Sequence, residues 1–169
     1  NGDKLQIKQT LKYAKALAIA QRAKNKQRVK AIHAKIKNTR QDLIHKFTTQ
    51  LVKDNALIVV GDVKTTQFNS KKGKLAKSVY DAGWFEMRRQ LTYKCENAGC
   101  RFEIVNEKYT TQTCSCCGDM SSSLSGRAGL RIREWTCATC GTRHDRDINA
   151  SKNILAVGLD RLVEGIPER

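Results

Sequence analysis

Cys114-Ser-Cys-Cys117 and Cys137-Ala-Thr-Cys140, with Arg143-His-Asp-Arg-Asp-Ile-Asn-Ala-Ser-Lys-Asn153 close behind, decide the reading of this chain. Two residues between cysteines let one tight knuckle aim both sulfurs at one ion. Two knuckles supply four thiolates, which suits a tetrahedral Zn2+ site made of Cys114, Cys117, Cys137 and Cys140. The nineteen-residue spacer from Gly118 to Thr136 lies within the range of such motifs. Gly118 and Gly141 each follow the second cysteine of a knuckle, where a residue able to take positive φ relaxes the turn. Disulfides or buried free thiols are the competing explanation. Cys116 lies inside the first knuckle and is the weaker ligand. Cys95 and Cys100 have no second pair and read as ordinary core or surface thiols, with a bridge between them as the other option. The segment after the second knuckle is Asp-led and opens a helix. Zinc hairpin and paired aspartates together point to nucleic acid handled beside a second, harder metal ion.

Charge bounds the partner. The chain of 169 residues carries 32 Lys and Arg against 16 Asp and Glu, a formal +16. That balance favours a polyanion. Residues 1–55 hold fourteen Lys or Arg against Asp3, Asp42 and Asp54 alone. A solvated helix face explains any single lysine. The whole block has few carboxylates to neutralise it, so Arg22, Lys24, Lys26, Arg28, Lys30 and Lys35 are the candidate phosphate contacts. The seven cysteines are odd in number, no apolar signal segment opens the chain, and no apolar run approaches membrane-spanning length. The expected setting is cytoplasmic, with no membrane partner.

From Gln9 to Lys53 there is neither Gly nor Pro, and Val29, Ile32, Ile36, Leu43 and Phe47 recur at helical spacing after Leu11, Ala14 and Leu17. Two basic helices broken near Asn25 are expected. Lys4–Ile7 reads as a short strand. Ala56-Leu-Ile-Val-Val60 is a continuous apolar run, as in a strand buried on both faces. Residues 64–73 read as a loop and Leu75–Tyr93 as a helix. Arg101–Val105 alternates as a strand. A zinc hairpin should occupy residues 110–143, with Ser121–Gly129 as its tip and Leu130–Thr136 as its returning strand. Asp147–Val157 should form a helix with Ile148, Ser151, Ile154 and Leu155 facing the core. Alternating strands and helices imply an α/β layer.

Thr110-Thr-Gln-Thr-Cys-Ser-Cys-Cys-Gly118, Trp135-Thr-Cys-Ala-Thr-Cys-Gly141 and His144-Asp-Arg-Asp-Ile-Asn-Ala-Ser-Lys-Asn-Ile154 resemble the C-terminal part of TnpB. These are the OrfB proteins of insertion sequences, related to the type V CRISPR effectors. Asp81-Ala-Gly-Trp84 and the basic helices fit the same family, so the resemblance covers essentially the whole chain. It implies a ribonuclease H-like (RuvC) layer, incomplete at the N-terminus, with two long basic helices and a zinc ribbon inserted before the last catalytic helix. The parts would be residues 1–109, the ribbon at 110–143, and the last helix and tail at 144–169. It further implies RNA-guided cleavage of DNA with a guide RNA from the transposon end, in a prokaryotic, nucleoid-associated setting.

Such sites hold Mg2+ with three carboxylates: an Asp on the first strand, a Glu ending the fourth, and an Asp opening the last helix. Two Mg2+ ions can activate water and stabilise the leaving oxygen. Only the third carboxylate carries over cleanly, as Asp147, with Asp145 as the adjacent and weaker ligand. The first-strand Asp motif is absent from this chain, so the piece alone is expected not to cleave. Gly61 stands where the Glu is expected. Asp62 serves if the strand end shifts by one position, although such a shift turns a side chain to the other face. The alternative is a carboxylate moved to the neighbouring strand end, at Glu107 or at Glu103. A dead nuclease is the remaining option. Three functions are therefore compatible: an RNA-guided endonuclease, a nuclease-inactive RNA-guided DNA-binding protein or transposon regulator, and a zinc-ribbon DNA-binding protein that needs no RNA.

Overall fold

The structure is a computed structural model that describes residues 9–62, 83–125, 129 and 131–164. The expected strand at Lys4–Ile7, the loop at 64–73, residues 75–82 of the expected helix and positions 126–128 of the hairpin tip lie outside the described residues. The chain divides into two compact units. One contains residues 9–58 and 83–102. The other contains residues 59–62 and the described residues from 103 to 164.

In the first unit, α1 (Gln9–Arg22) and α2 (Lys26–Asp54) are separated by a short corner. Lys24 takes a left-handed φ of 51°, while Asn25 N donates to Ala20 O and Lys24 N to Gln21 O, which satisfies the last carbonyls of α1. Asn25 then caps α2, its Oδ1 accepting from Arg28 N at 2.9 Å. The break expected near Asn25 therefore has a cause on each side. Ala20, Ile32 and Ile36 are buried together, with Tyr13, Ala16, Leu17 and Val29 packed on them. The apolar stripe runs on through Ile44, Thr48 and Val52 rather than Leu43 and Phe47, which are half-buried, and Ala14 is exposed.

Helix α3 (Trp84–Ala98) continues beyond the expected Tyr93 and ends at Gly99, whose φ of 68° is the left-handed terminator. The Asn97-Ala-Gly99 turn thus shrinks to its glycine. Between α2 and α3 lies a buried polar bridge. The Thr48 hydroxyl donates to Gln90 Oε1 at 2.9 Å, and Gln90 Nε2 donates to Glu86 Oε1 at 2.8 Å. Thr48 and Gln90 are both fully buried. Lys94 Nζ donates to Thr48 Oγ1, Thr49 Oγ1 and His45 O. A hydrogen bond from Arg89 holds the Glu86 carboxyl down at about 2, with Gln90 adding to it against a counter-effect of burial.

Strand β1 (Leu57–Gly61) pairs with β2 (Arg101–Val105) in a two-stranded sheet. Arg101 N donates to Ala56 O at one end and Asp62 N to Val105 O at the other, so the strands are parallel. In the second unit β3 (Glu134–Thr136) and β4 (Arg143–Asp145) form an antiparallel hairpin that aligns Trp135 with His144. Of the expected returning strand Leu130–Thr136, Leu130 lies outside the described residues, and among the described ones Glu134–Thr136 form the strand paired with β4. A 3-10 turn at Ser122–Leu124 buries Leu124 against Cys114, Trp135 and Cys137, with Ile132 packed on them.

Helix α4 (Arg146–Glu164) starts one residue before, and ends well beyond, the expected Asp147–Val157. Its inward face also differs from the expectation. Ile148, Ser151 and Leu155 are exposed and Ile154 is half-buried, whereas Arg146, Asn149, Ala150 and Gly158 are buried. Two contacts set this rotation. Gly158 lies so close to Val59 that any Cβ there would collide with it, which justifies a mid-helix glycine that otherwise costs about 1 kcal/mol. The other is polar: Arg146 Nη1 donates to Gly129 O at 2.7 Å. Among the described residues no helix is long and apolar enough to cross a membrane.

Two outcomes test the polar bridge. Gln90→Ala should cost about 1–3 kcal/mol in urea unfolding, because a fully buried side chain and its bonds to Thr48 and Glu86 are lost, and Thr48→Val combined with Gln90→Leu should cost less. The folded Glu86 carboxyl is depressed from 4.5 to about 2, so its stabilisation is fully present above 4.5 and is lost as pH falls through 2. Glu86→Gln should flatten the acid limb of the unfolding curve over that window.

Candidate metal centres and nucleic-acid interface

The two cysteine knuckles share one backbone design. Gly118 N donates to Cys114 O and Gly141 N to Cys137 O, each at 2.9 Å. Cys114 N donates to Asp119 O and Cys137 N to Thr142 O. Gly118 and Gly141 have φ of 80° and 71°, so each knuckle closes on a residue that only glycine fits without strain. The Thr139 hydroxyl donates to Asp119 Oδ2 at 2.7 Å and ties one knuckle to the other. The four sulfurs lie within 4.8 Å of one another, with Cys114–Cys140 and Cys117–Cys137 at 3.7 Å. Zinc–sulfur bonds of about 2.3 Å give a tetrahedron edge of about 3.8 Å, so the arrangement fits a tetrahedral thiolate-bound ion. Cys116 is exposed and outside this cluster, and Cys95 and Cys100 belong to the other unit.

The four thiols are electrostatically unequal. The Thr142 hydroxyl and backbone N–H pull Cys140 down to about 6. At Cys117 the Asp119 backbone N–H pulls the same way, but burial and the neighbouring thiols together push it up to about 12. Four sulfurs this close resist joint ionisation until a cation shares their charge. His144, which the sequence reading passed over, is buried, stacks on Trp135 with ring centroids 4.8 Å apart, and brings Nε2 to 3.1 Å from Cys114 Sγ.

The candidate carboxylates sit in the same unit. Asp145 Oδ1 accepts from Asp147 N at 2.9 Å and from Ile148 N at 3.0 Å, so Asp145 caps α4. Asp147 is exposed in the first turn, with Arg133 Nη1 at 3.7 Å from its Oδ2. Asp62 is exposed at the end of β1. Glu107 is half-buried two residues beyond β2, and burial, then the Asp62 carboxylate, hold its carboxyl above the usual range. A Cβ built on Gly61 would lie 2.5 Å from Glu107 Oε2 and 3.0 Å from its Cβ. The Glu107 side chain thus fills the space that a side chain at position 61 would need. Glu103 is half-buried within β2. Among the described residues the four cysteines are the one set of three or more potential ligands whose donor atoms converge, and Asp62, Glu107 and Asp147 do not make a second.

Two further residues went unread in the sequence. Asn149 and Asn153 each donate through Nδ2 to both Thr110 O and Thr113 O, at 2.7–3.2 Å. Asn149 Oδ1 also accepts from Ser115 N at 2.9 Å, inside the first knuckle. Their signal was present: two amides four residues apart share one helical face. In the other unit Arg22, Lys24, Lys26 and Arg28 cluster at the α1–α2 corner, and with Lys30 and Lys35 all are exposed. Lys30 and Lys35 lie away from the buried Ile32 and Ile36, as a polyanion-facing surface requires.

Cys137→Ser should remove the metal. Elemental analysis should fall from about one zinc per chain toward none, because losing one of four thiolates opens a closed structural site. Neutralising Arg22, Lys24, Lys26 and Arg28 together should weaken nucleic-acid binding on every sequence. The slope of log K against log salt should flatten by about 0.7–0.9 for each phosphate that is no longer neutralised, and an unchanged slope would remove this corner from the interface.

Comparison with known proteins places these features. Residues 4–71 match a probable transposase family of the OrfB type, and residues 84–154 match the Cas12f1-like TNB domain. A putative RNA-guided DNA endonuclease of Streptomyces pristinaespiralis is 40% identical over 86% of this chain and 35% of its own length. The putative RNA-guided DNA endonuclease InsQ of Escherichia coli K12 is 34% identical over 80% of this chain and 36% of its own. The chain spans about a third of the length of these curated relatives. A Cas12f1 chain, solved by cryo-EM as a complex with sgRNA and target DNA, superposes with a TM-score of 0.66 over 91% of this chain and 44% of that one, at 16% identity, and so shares its fold. The two matched segments take in most of the residues, and the chain belongs to the TnpB/OrfB family.

Proposed function

We propose that this chain is part of a transposon-associated, RNA-guided DNA endonuclease, and that Glu107 and Asp147 are its carboxylate ligands for catalytic Mg2+. One observation carries the reading: the Glu107 carboxylate occupies the space of the missing side chain at Gly61. The parallel β1–β2 pair with Gly158 of α4 against Val59 supports a RuvC-like layer, with the ribbon at 110–143 inserted between β2 and α4. Bound Mg2+ supplies an activated water and charge neutralisation at the phosphate. Glu107 and Asp147 hold the ion, and the raised Glu107 carboxyl gains most from a cation, since burial and Asp62 both disfavour its charge when alone. Zn2+ on the four cysteines keeps the ribbon folded. DNA and a guide RNA from the transposon end are the partners, in keeping with the complex in which the Cas12f1 neighbour was solved. The α1–α2 corner grips phosphate and performs no chemistry. The site of action is the prokaryotic cytoplasm, at the nucleoid.

A nuclease-inactive RNA-guided DNA binder is the second reading, favoured by Gly61 at the expected glutamate position. One experiment separates the two. The intact protein, loaded with its guide RNA, is assayed for Mg2+-dependent cleavage. Asp147→Ala and Glu107→Ala should each cut the rate by about 10²–10³ with target-DNA affinity nearly unchanged, the loss typical of a fixed charge-stabilising group. Asp62→Ala should be milder. Gly61→Glu alone should clash with Glu107, and Gly61→Glu combined with Glu107→Gly should recover cleavage. An intact protein that binds its target but never cuts establishes the second reading.

A further inference from the structure

The Thr110 turn lies between the two proposed Mg2+ ligands. On one side Thr110 N and Thr110 Oγ1 both donate to Glu107 O, at 3.2 and 2.8 Å. On the other side Thr110 O and Thr113 O each accept from both Asn149 and Asn153. Each amide offers two N–H groups and each carbonyl two lone pairs, so this square of four bonds is fully satisfied. Asn149 is 1% exposed and Thr110 7% exposed, so water has little access to the bond between them, while the Asn153 bonds are part-buried. Asn149 follows Asp147 by two residues in the same helical turn.

We propose that Asn149 and Asn153 are positioning residues that fix Glu107 relative to Asp147. The inference rests on the reading that these two carboxylates hold Mg2+, and extends it to how their spacing is set. A glutamate ending a strand is oriented by its sheet. Glu107 lies beyond β2 and has no such frame. Its backbone is held instead through Thr110, and Thr110 is held by the helix that presents Asp147. Asn149 adds the bond from Ser115 N, so the first cysteine knuckle is locked to the same turn. No other residue type fits position 149 equally well. It must accept from one backbone N–H and donate to two backbone carbonyls, and only a short amide does both. Asp is isosteric and keeps the acceptor, but it turns two acceptor oxygens on carbonyls that need donors.

The test uses the intact protein with its guide RNA, titrated with Mg2+. Asn149→Asp and Asn153→Ala should raise the Mg2+ concentration at half-maximal cleavage by about 10–100-fold, the range for residues that orient metal ligands. Saturating Mg2+ should restore most of the rate. Zinc content and target-DNA affinity should stay at wild-type values, which a merely unfolded ribbon would not allow. Asn153→Ala decides the matter if Asn149→Asp does not fold, because Asn149 then still serves both carbonyls. An unmoved Mg2+ midpoint in Asn153→Ala, or a loss of cleavage that tracks loss of zinc, overturns the proposal. Asp147→Ala is run in parallel. If it still cuts, the ligand assignment itself has failed. If it is dead while the midpoint of the asparagine variants stays put, only the positioning role has failed.

Discussion

The hydrogen-bonded square between Asn149, Asn153, Thr110 and Thr113 is the constraint on which the second unit depends. A ribbon built on two short strands and two knuckles buries few side chains, chiefly Cys114, Leu124, Trp135 and Cys137. Among the described residues that cluster holds the hairpin together and includes no residue of α4. The hairpin is joined to α4 by polar contacts: the asparagine square, Ser115 N on Asn149, Arg146 on Gly129 O, and Arg146 N on Arg133 O. Polar contacts have direction as well as strength. Apolar packing alone would let the ribbon slide on the helix, whereas bonds of fixed geometry from side chains in defined rotamers do not.

This explains which parts of the chain were legible in sequence. The cysteine quartet was readable because a knuckle is a local object, fully described by two cysteines, their spacing and a glycine. The two basic helices and the Asn25 break were readable for the same reason, since caps and helical periods act over four residues. The inward face of α4 was misjudged because periodicity assigns burial by apolarity. Here burial follows hydrogen bonding at Arg146 and Asn149 and close approach at Gly158. Those causes are tertiary, and the apolar Ile148 and Leu155 are left exposed. The long reach of α3 to Gly99 was underestimated because Lys94 and Glu96 weaken its apolar period, although they favour a helix.

Gly61 and Glu107 illustrate the same limit. Forty-six positions apart in sequence, they contend for one volume. A glycine at the end of β1 reads as a lost carboxylate when only the strand is considered. With β2 alongside and parallel, the space beside Gly61 belongs to the segment that follows β2. The glycine is then a condition for the Glu107 side chain to lie where it does, because a Cβ at 61 would press on its carboxylate. Loss at one position and gain at the other are two halves of one packing arrangement, and neither is intelligible alone.

Charge is divided between the two units in a way that suits the proposed chemistry. The α1–α2 corner gathers exposed cations with few acids, so it attracts phosphate over a long range and with little dependence on sequence. Lysine and arginine side chains of this kind hold phosphate but do not activate water for attack on a phosphodiester. That task needs a metal on hard anionic ligands, which would repel the substrate if left unneutralised. Burial, and then the neighbouring Asp62 carboxylate, hold the Glu107 carboxyl above its usual range. On the proposed reading, a bound cation would neutralise these carboxylates, so the site would repel phosphate least with metal in place. On the same reading, affinity from the basic helices and reactivity from the carboxylates could change independently of each other.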